Sequence, residues 1–225
     1  MKNIKILFIG KDNDVFSKKF FLILKKNFKG VTSIYDNFKN HKKIKTQIKK
    51  FKTDYIFSFR SSCLFTNKEI NRFEKKILNF HPGPPEYRGV GCINFALLNN
   101  EKFYGATVHL VDSAKIDSGK ILDIKKWKIN DFDSIDEILT KTYTKQLSQL
   151  KKIIKYLKAK KLEKLINKNK NKYWSKKLYT RKKLEVLYKI KVLNQQNLSR
   201  TLRATVTKKF KPYVLINGKK FVYEN

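Results

Sequence analysis

The sequence predicts an α/β fold with a doubly wound, mostly parallel sheet, followed by a small β-rich C-terminal appendage. Short apolar runs alternate with amphipathic stretches through the first third of the chain. This alternation of strands and helices is typical of parallel sheets whose helices cover both faces. The chain has 225 residues and is 41% hydrophobic, which is enough to bury a core and argues against disorder.

Four predicted strands in this first part are separated by three predicted helices. The strands are apolar runs at residues 4–9, 31–35, 54–59 and 77–80. The first helix follows the cap-forming cluster Asp12-Asn13-Asp14 and has an apolar face at Phe20, Phe21 and Leu24. The second helix has an apolar face at Ile44, Ile48 and Phe51. The third helix spans residues 66–75. A Rossmann-like sheet of this kind binds ligands at the carboxyl ends of its strands.

The later part of the chain has a different character. A Pro- and Gly-rich loop at 81–91 precedes a short helix at 92–98 and strands at 105–111 and 119–129. Ser134 and Glu137 form a capping box that begins a long helix. After Lys164 we expect a Lys/Asn-rich connector, a strand-like run at 184–192, and a hairpin at 212–222 with a type I′ turn at Asn217-Gly218. The predicted domains are therefore 1–164, carrying the chemistry, and a small β-rich region at 165–225.

The formal charge of +35 raises the question of a nucleic-acid partner. Only six of the 53 basic residues are arginine, the residue that base and phosphate recognition favours. Lys, Ile and Asn abound throughout, which indicates compositional drift more than a dedicated binding stripe. We therefore favour solvated lysine faces over an RNA-binding surface and expect no specific nucleic-acid partner, although the charge would attract any polyanion.

The compartment is predicted from the N-terminus and the cysteines. The apolar run at 4–9 is too short for a signal peptide or a membrane span, and no later run reaches transmembrane length. Cys63 and Cys92 have no metal-like spacing and do not indicate a disulfide framework. We expect a cytoplasmic protein with no membrane span and no metal.

Asn79 and His81 are the first candidates for chemistry. They lie two positions apart at the end of the fourth predicted strand, so their side chains point to the same side. An amide donor can hold a developing oxyanion while an imidazole beside it moves a proton. The alternative is a capping Asn and a solvent-facing His.

A polar loop at 111–119 supplies the second candidate, Asp117. The loop is entered from an apolar strand and leaves through Gly119, so it can return a carboxylate to the edge of the sheet. Such a carboxylate could orient a nearby His and raise its basicity. The alternative is an ordinary surface turn.

Together these segments resemble the formyltransferases that depend on N10-formyltetrahydrofolate. The shared motifs are, in order, Asn79-Phe80-His81, Tyr87-Arg88-Gly89, Gly105-Ala106-Thr107-Val108-His109 and Asp117-Ser118-Gly119. The resemblance covers about residues 1–160 and implies the formyltransferase fold. The loop Pro82-Gly83-Pro84-Pro85 departs from the Pro-Ser-Leu-Leu-Pro that many members carry.

The resemblance implies a role for each matched residue. His81 would act as base or acid toward the tetrahedral intermediate, and Asn79 would hydrogen-bond the formyl oxygen as it becomes negative. Asp117 would orient His81 and help to move the proton of the attacking amine. His109 would lie behind these residues, either as a structural histidine or as a participant in catalysis.

The binding residues are also carried over from the family. N10-formyltetrahydrofolate, the formyl donor, would contact the loop after the third strand and the main chain around the Asp loop, at Phe59, Arg60, Leu78, Asp112 and Ala114. Arg60 would either pair with a folate carboxylate or form a structural salt bridge. The residues assigned to the acceptor are Pro82, Gly83, Arg88 and Arg203.

The tail indicates which amine is formylated. Its Arg203-Ala204 stretch, Tyr213 and the Asn217-Gly218-Lys219 turn are similar to the C-terminal segment of sugar N-formyltransferases. This implies an amino sugar carried on a nucleoside diphosphate such as dTDP, formylated for a surface polysaccharide such as the O-antigen of lipopolysaccharide. A methionyl-tRNA formyltransferase and a non-catalytic basic RNA-binding protein on the same scaffold remain alternatives, and a homodimer is one possible assembly.

Overall fold

The computed structural model describes residues 4–37, 41–190 and 195–224. The strands are β1 (Lys5–Lys11), β2 (Gly30–Asp36), β3 (Tyr55–Phe59), β4 (Ile77–His81), β5 (Arg88–Gly89), β6 (Phe103–Leu110), β7 (Ile121–Lys128), β8 (Leu178–Tyr179), β9 (Tyr213–Ile216) and β10 (Lys219–Val222). The helices are α1 (Val15–Asn27), α2 (His41–Lys50), α3 (Asn67–Arg72), α4 (Cys92–Leu98), α5 (Ile135–Lys158), α6 (Leu162–Lys168), α7 (Arg181–Tyr188) and α8 (Gln195–Thr205).

Six strands form the central sheet, in the order β2-β1-β3-β4-β6-β7. β1 pairs in parallel with β2 and β3, and β3 pairs in parallel with β4, whereas β4 and β6 are antiparallel. The prediction of a mostly parallel sheet is confirmed. The strand order reverses between β1 and β3, and in open α/β sheets ligands bind beside the carboxyl ends of the strands at such a reversal.

Helices cover both faces of this sheet. Successive strand residues point to opposite faces, so β1, β3 and β4 each contribute to two separate apolar clusters. The first cluster contains Phe8, Phe57 and Phe80 with Phe20 of α1 and Leu150 of α5. The second contains Leu7, Ile9 and Ile56 with Ile48 of α2 and Ile70 of α3. The doubly wound arrangement is therefore confirmed.

The chain forms two compact units. The first comprises the described residues of Met1–Pro82, Ala106–Lys125 and Tyr143–Tyr173, and the second those of Gly83–Gly105, Lys126–Thr142 and Trp174–Asn225. The second unit therefore takes segments from before residue 165 in addition to most of the tail. The division into a catalytic part at 1–164 and a separate tail stays a prediction.

The strands predicted for the tail are present, but helices accompany them. β9 and β10 form the expected hairpin, and Asn217 and Gly218 have φ values of 49° and 74°, as a type I′ turn requires. The prediction of a strand-like run at 184–192 was wrong, because residues 184–188 belong to α7. Thr180 caps this helix by accepting a hydrogen bond from the backbone N–H of Lys183. Residues 191–192 lie outside the described part. The expected connector after Lys164 is helical as far as the end of α6.

Within the described ranges, no helix is both long enough and apolar enough to cross a membrane.

Candidate active site

The pairing of β4 with β6 brings three polar side chains together. Asn79 and His81 occupy alternate positions of β4 and share one side of the strand. The antiparallel register places Asn79 opposite His109 and His81 opposite Thr107. His109 therefore lies beside Asn79 because of strand pairing, although 29 residues separate them in the chain.

The loop between β6 and β7 returns Asp117 to the same place. Its two ends are joined, because the backbone N–H of Leu110 donates to the carbonyl of Lys120 at 2.9 Å and Asp112 Oδ2 accepts from the backbone N–H of Lys120 at 3.2 Å. Gly119 permits this close approach, since a Cβ there would lie 1.9 Å from the carbonyl oxygen of Leu110. Asp117 has a φ of 41°, a left-handed conformation that Asp adopts more readily than most residues.

Asp117 contacts both histidines. Its Oδ2 lies 3.2 Å from His81 Nδ1, and its Oδ1 lies 3.3 Å from His109 Nε2. The Asn79 amide nitrogen lies 3.1 Å from His109 Nε2 and 3.4 Å from Asp117 Oδ1. The side chains of His81, His109 and Asp117 are at most 8% exposed. The structure thus brings together all three predicted catalytic residues, in a largely buried cluster.

The charge of Asp117 is stabilised by its neighbours. Burial alone would raise the pKa of this carboxyl, but the charge of His81 and the hydrogen bonds of both histidines outweigh burial and hold the pKa well below its usual range. Asp117 is therefore a carboxylate at neutral pH. A carboxylate beside Nδ1 of His81 favours a proton on that nitrogen, which makes Nε2 the basic nitrogen of the neutral ring.

His109 is bonded on both sides of its ring. Its Nδ1 lies 2.8 Å from the carbonyl oxygen of Leu110, which can only accept, so Nδ1 carries a hydrogen. Nε2 faces the Asn79 amide and Asp117. His109 therefore contacts two of the predicted catalytic residues, Asn79 and Asp117, and its role stays a prediction.

The residues predicted for the formyl donor have other contacts in this structure. The side chains of Phe59 and Leu78 are fully buried in the first apolar cluster. Arg60 forms the salt bridge that was one of its two alternatives, with Nη1 3.2 Å from Asp14 Oδ2. The backbone N–H of Ala114 donates to Asn67 Oδ1 at 3.0 Å. Asp112 closes the Asp loop, as described above, and the assignment of these residues to the donor stays a prediction.

Of the four residues predicted for the acceptor, one lies in the first unit and three lie in the second unit. Pro82 ends the first segment of the first unit, and Gly83 begins the second unit. Arg88 Nη1 donates to the carbonyl of Ser175 at 3.0 Å, and Arg203 Nη2 donates to the carbonyl of Asn130 at 2.6 Å. Both arginines therefore bind main-chain oxygens of their own unit, and their assignment to the acceptor stays a prediction.

Sequence reasoning missed β8, the short strand that pairs with the Tyr87-Arg88-Gly89 motif. β5 pairs in parallel with β8, and Tyr179 of β8 stacks on Tyr87 with ring centroids 5.5 Å apart. Gly89 has a φ of 94°, and a Cβ there would lie 2.1 Å from the carbonyl oxygen of Tyr179. The glycine of this motif is therefore required by the close approach of β8. Each of these strands has two residues, which is too short for a strand pattern to be recognised.

A family model described as formyl transferase matches residues 14–154, which is more than half of the chain. The chain belongs to this family. The ordered cluster of Asn79, His81 and Asp117 lies within the matched region. The family predicted from the sequence motifs is therefore confirmed.

Individual relatives differ in how much of this formyltransferase chain they match. A methionyl-tRNA formyltransferase from Finegoldia magna is 29% identical over 116 residues, which are 51% of this chain and 37% of that protein. The chain spans about a third of the length of the curated relatives that it matches first.

Several solved structures match almost the whole chain, and two of them illustrate the similarity. A 4-N formyltransferase from Francisella tularensis has a TM-score of 0.73 at 22% identity and covers 98% of this chain and 97% of its own. An N-formyltransferase from Helicobacter canadensis, in complex with folinic acid and dTDP-3-aminofucose, has a TM-score of 0.71 at 23% identity and covers 96% of this chain and 86% of its own. The chain therefore has the fold of these formyltransferases.

No group of three or more His, Cys, Asp or Glu side chains among the described residues is arranged to hold a metal ion.

Proposed function

We propose that this protein transfers a formyl group from N10-formyltetrahydrofolate to an amine. The observation that carries the proposal is the buried cluster in which Asp117 contacts both His81 and His109 while the Asn79 amide lies beside them. Membership of the formyl transferase family supports the same reaction. The cluster offers a general base, an oxyanion donor and a fixed negative charge, which formyl transfer needs together.

His81 would move the proton. With a hydrogen on Nδ1, held by Asp117, Nε2 is the nitrogen that can take a proton from the attacking amine. The amine nitrogen bonds to the formyl carbon, and the bond from that carbon to N10 of the folate then breaks. The proton taken from the amine leaves with N10, so that formylated amine and tetrahydrofolate are the products. Asp117 stabilises the imidazolium formed in between.

Asn79 would stabilise the negative charge on the formyl oxygen. Its amide nitrogen carries two hydrogens and lies 3.1 Å from His109 Nε2 and 3.4 Å from Asp117 Oδ1. The amide would therefore be held in place before the substrate arrives, and a donor that needs no reorganisation stabilises an oxyanion most effectively.

The acceptor that we propose is an amino sugar linked to a nucleotide such as dTDP, formylated in the cytoplasm for a surface polysaccharide. The similarity in fold to two N-formyltransferases over 96–98% of the chain supports this acceptor. One of those proteins was solved in complex with folinic acid and dTDP-3-aminofucose.

A methionyl-tRNA acceptor is the second candidate. The high positive charge and the sequence similarity to methionyl-tRNA formyltransferases favour it. We rank it lower because that similarity covers about half of this chain.

A panel of acceptors tests the proposal. The purified protein is mixed with N10-formyltetrahydrofolate and one acceptor at a time, and release of tetrahydrofolate is followed by absorbance. We expect turnover with a dTDP-linked amino sugar and turnover at least about a hundredfold slower with His81→Ala. Turnover with methionyl-tRNA alone would establish the second candidate. A folded wild-type protein that neither binds a folate nor formylates any amine would contradict the reaction itself.

A further inference from the structure

A buried carboxylate at the end of β2 holds the loop that follows β3. Asp36 is fully buried. Its Oδ2 accepts three hydrogen bonds, from Ser61 Oγ at 2.9 Å, from the backbone N–H of Ser62 at 2.7 Å and from Ser62 Oγ at 2.8 Å. Ser61 Oγ in turn accepts from the backbone N–H of Cys63 at 3.0 Å. One oxygen atom therefore fixes both the side chains and the main chain of this loop.

The same residue also contacts the loop after β1. The backbone N–H of Asp12 donates to the carbonyl oxygen of Asp36 at 2.9 Å. The loops after β1 and β3 flank the point where the strand order reverses, and this point is the usual ligand crevice of an open α/β sheet. Asp36 thus joins the two loops that border the crevice, although β2 lies at the edge of the sheet.

A second set of contacts restrains the beginning of the β3 loop. Arg60 has a φ of 55°, and its guanidinium lies 3.2 Å from Asp14 and 3.7 Å above the ring of Tyr143. Hydrogen bonds to a buried carboxylate are strong, and a conformation of the loop without them would cost Asp36 Oδ2 all three of these bonds. The loop at residues 60–63 is therefore held in one conformation from both ends.

We propose that Asp36 is a positioning residue that presets the loop at 60–63 for the formyl donor. The inference rests on the proposed function and on the family resemblance, which implies that the formyl donor contacts the loop after β3. β1 and β3 separate β2 from β4 in the sheet, so Asp36 acts through Ser61 and Ser62 and not on the reacting atoms. A loop that is already ordered loses less entropy when the ligand binds, so loss of the hydrogen bonds between Asp36 and this loop weakens the affinity for the donor.

The test uses Asp36→Asn, which keeps the shape and one acceptor oxygen but removes the charge. We expect the Kd of 5-formyltetrahydrofolate, a folate that is not a formyl donor in this reaction, to rise about tenfold by calorimetry, as loss of one charge-assisted hydrogen bond predicts. The KM of the donor should rise equally, while the KM of the acceptor and kcat stay within about twofold.

Asp123→Asn is the matched control. Asp123 is a buried carboxylate on β7 whose Oδ1 pairs with Lys152 and whose Oδ2 accepts from Gln149 Nε2 at 3.0 Å. This variant should lower the melting temperature and leave the Kd of 5-formyltetrahydrofolate unchanged, because Asp123 contacts neither crevice loop through these bonds.

A double variant, Ser61→Ala with Ser62→Ala, decides the matter if Asp36→Asn does not fold. Both serines are half-buried, and the variant removes two of the three donors to Asp36. Wild-type folate affinity in either folded variant would overturn the positioning role. Donor and acceptor affinity falling together, in step with the melting temperature, would also overturn it. Failure of the wild-type protein to bind the folate would instead refute the proposed function.

Discussion

At the scale of single residues, Asp117 is the centre of the candidate site. Its two oxygens contact different histidines, Oδ2 at His81 and Oδ1 at His109. A change at Asp117 therefore alters both imidazoles, whereas a change at His109 leaves the contact between His81 and Asp117 in place.

We expect His81→Ala to lower kcat by at least two orders of magnitude while the fold survives. A positioned acid–base group contributes about 10²–10⁴-fold to a rate, and the variant removes that group from the site. Turnover is measured with saturating donor and acceptor. The control is the affinity for 5-formyltetrahydrofolate together with the far-ultraviolet circular dichroism spectrum, both of which should stay near the wild-type values, whereas the melting temperature should fall because Asp117 loses its contact with His81. Wild-type turnover in a folded variant would end the proposed mechanism.

The pKa of Asp117 makes part of the stability dependent on pH. Because the pKa in the folded protein lies well below the ordinary value of about 3.9, the carboxylate contributes stability that is present above about pH 4. This contribution is lost as the pH falls through the folded pKa. The difference in free energy of unfolding between wild type and Asp117→Asn should therefore shrink as the pH falls from 6 toward 3.

Urea unfolding across that range measures this difference. The control is Asp131→Asn, since the pKa of Asp131 is also lowered, by its hydrogen bond to Lys102, but the side chain is exposed. That pair should contribute little at any pH. A difference for Asp117→Asn that does not change with pH would contradict the assignment.

At the scale of elements, three hydrogen bonds hold α8 and the residues just after it within the second unit. Arg203 donates to the carbonyl of Asn130, and Asn94 of α4 donates to the carbonyl of Ala204 at 2.8 Å. Just beyond the helix, the backbone N–H of Lys208 donates to Asp136 Oδ2 at 2.8 Å. These bonds join the tail to α4 and to the beginning of α5, so a structural role for Arg203 has direct support.

We expect Arg203→Ala to destabilise the protein by about 1–2 kcal/mol, because a hydrogen bond from a charged donor is lost. A melting curve measures the loss. Arg200→Ala is the matched control, since Arg200 lies on the same helix and is exposed, and it should change stability little. If Arg203 instead binds the diphosphate of the acceptor, the acceptor KM will rise alone in a variant of unchanged stability.

At the scale of the whole molecule, the charge is the dominant physical property. A formal charge of +35 attracts any polyanion, but most of it is carried by lysines, which bind phosphate as point charges. That attraction does not depend on the nucleotide sequence of the polyanion.

We therefore expect weak binding to RNA that does not distinguish one transfer RNA from another and that falls steeply with salt. A protein that neutralises 6–10 phosphates loses about 10³–10⁵ in affinity between 50 and 200 mM salt. Fluorescence anisotropy with initiator and elongator transfer RNAs measures both properties. Tight binding to the initiator alone at 150 mM salt would instead favour methionyl-tRNA as the acceptor.

The amino-acid sequence by itself determined the strand–helix alternation, the family and three side chains of the site. These follow from local signals: apolar runs for β1, β3 and β4, the capping box of α5, and motifs whose residues are close together in the chain. The signal failed at α7, where the run at 184–192 was predicted to be strand-like but the cap at Thr180 and the spacing of Leu184 and Leu187 suit a helix.

Only the tertiary structure decided how distant segments meet. Asp117 meets two histidines only because the strand register places them side by side. The hydrogen bonds of Asp36 with Ser61 and Ser62 join residues 25 and 26 positions apart in the chain. The β5–β8 pairing joins residues that are 90 positions apart. Asp and Ser are also the ordinary residues of surface turns, so their identity does not reveal such partners. Their role is set by hydrogen bonds that form only when the sheet has brought the loops together.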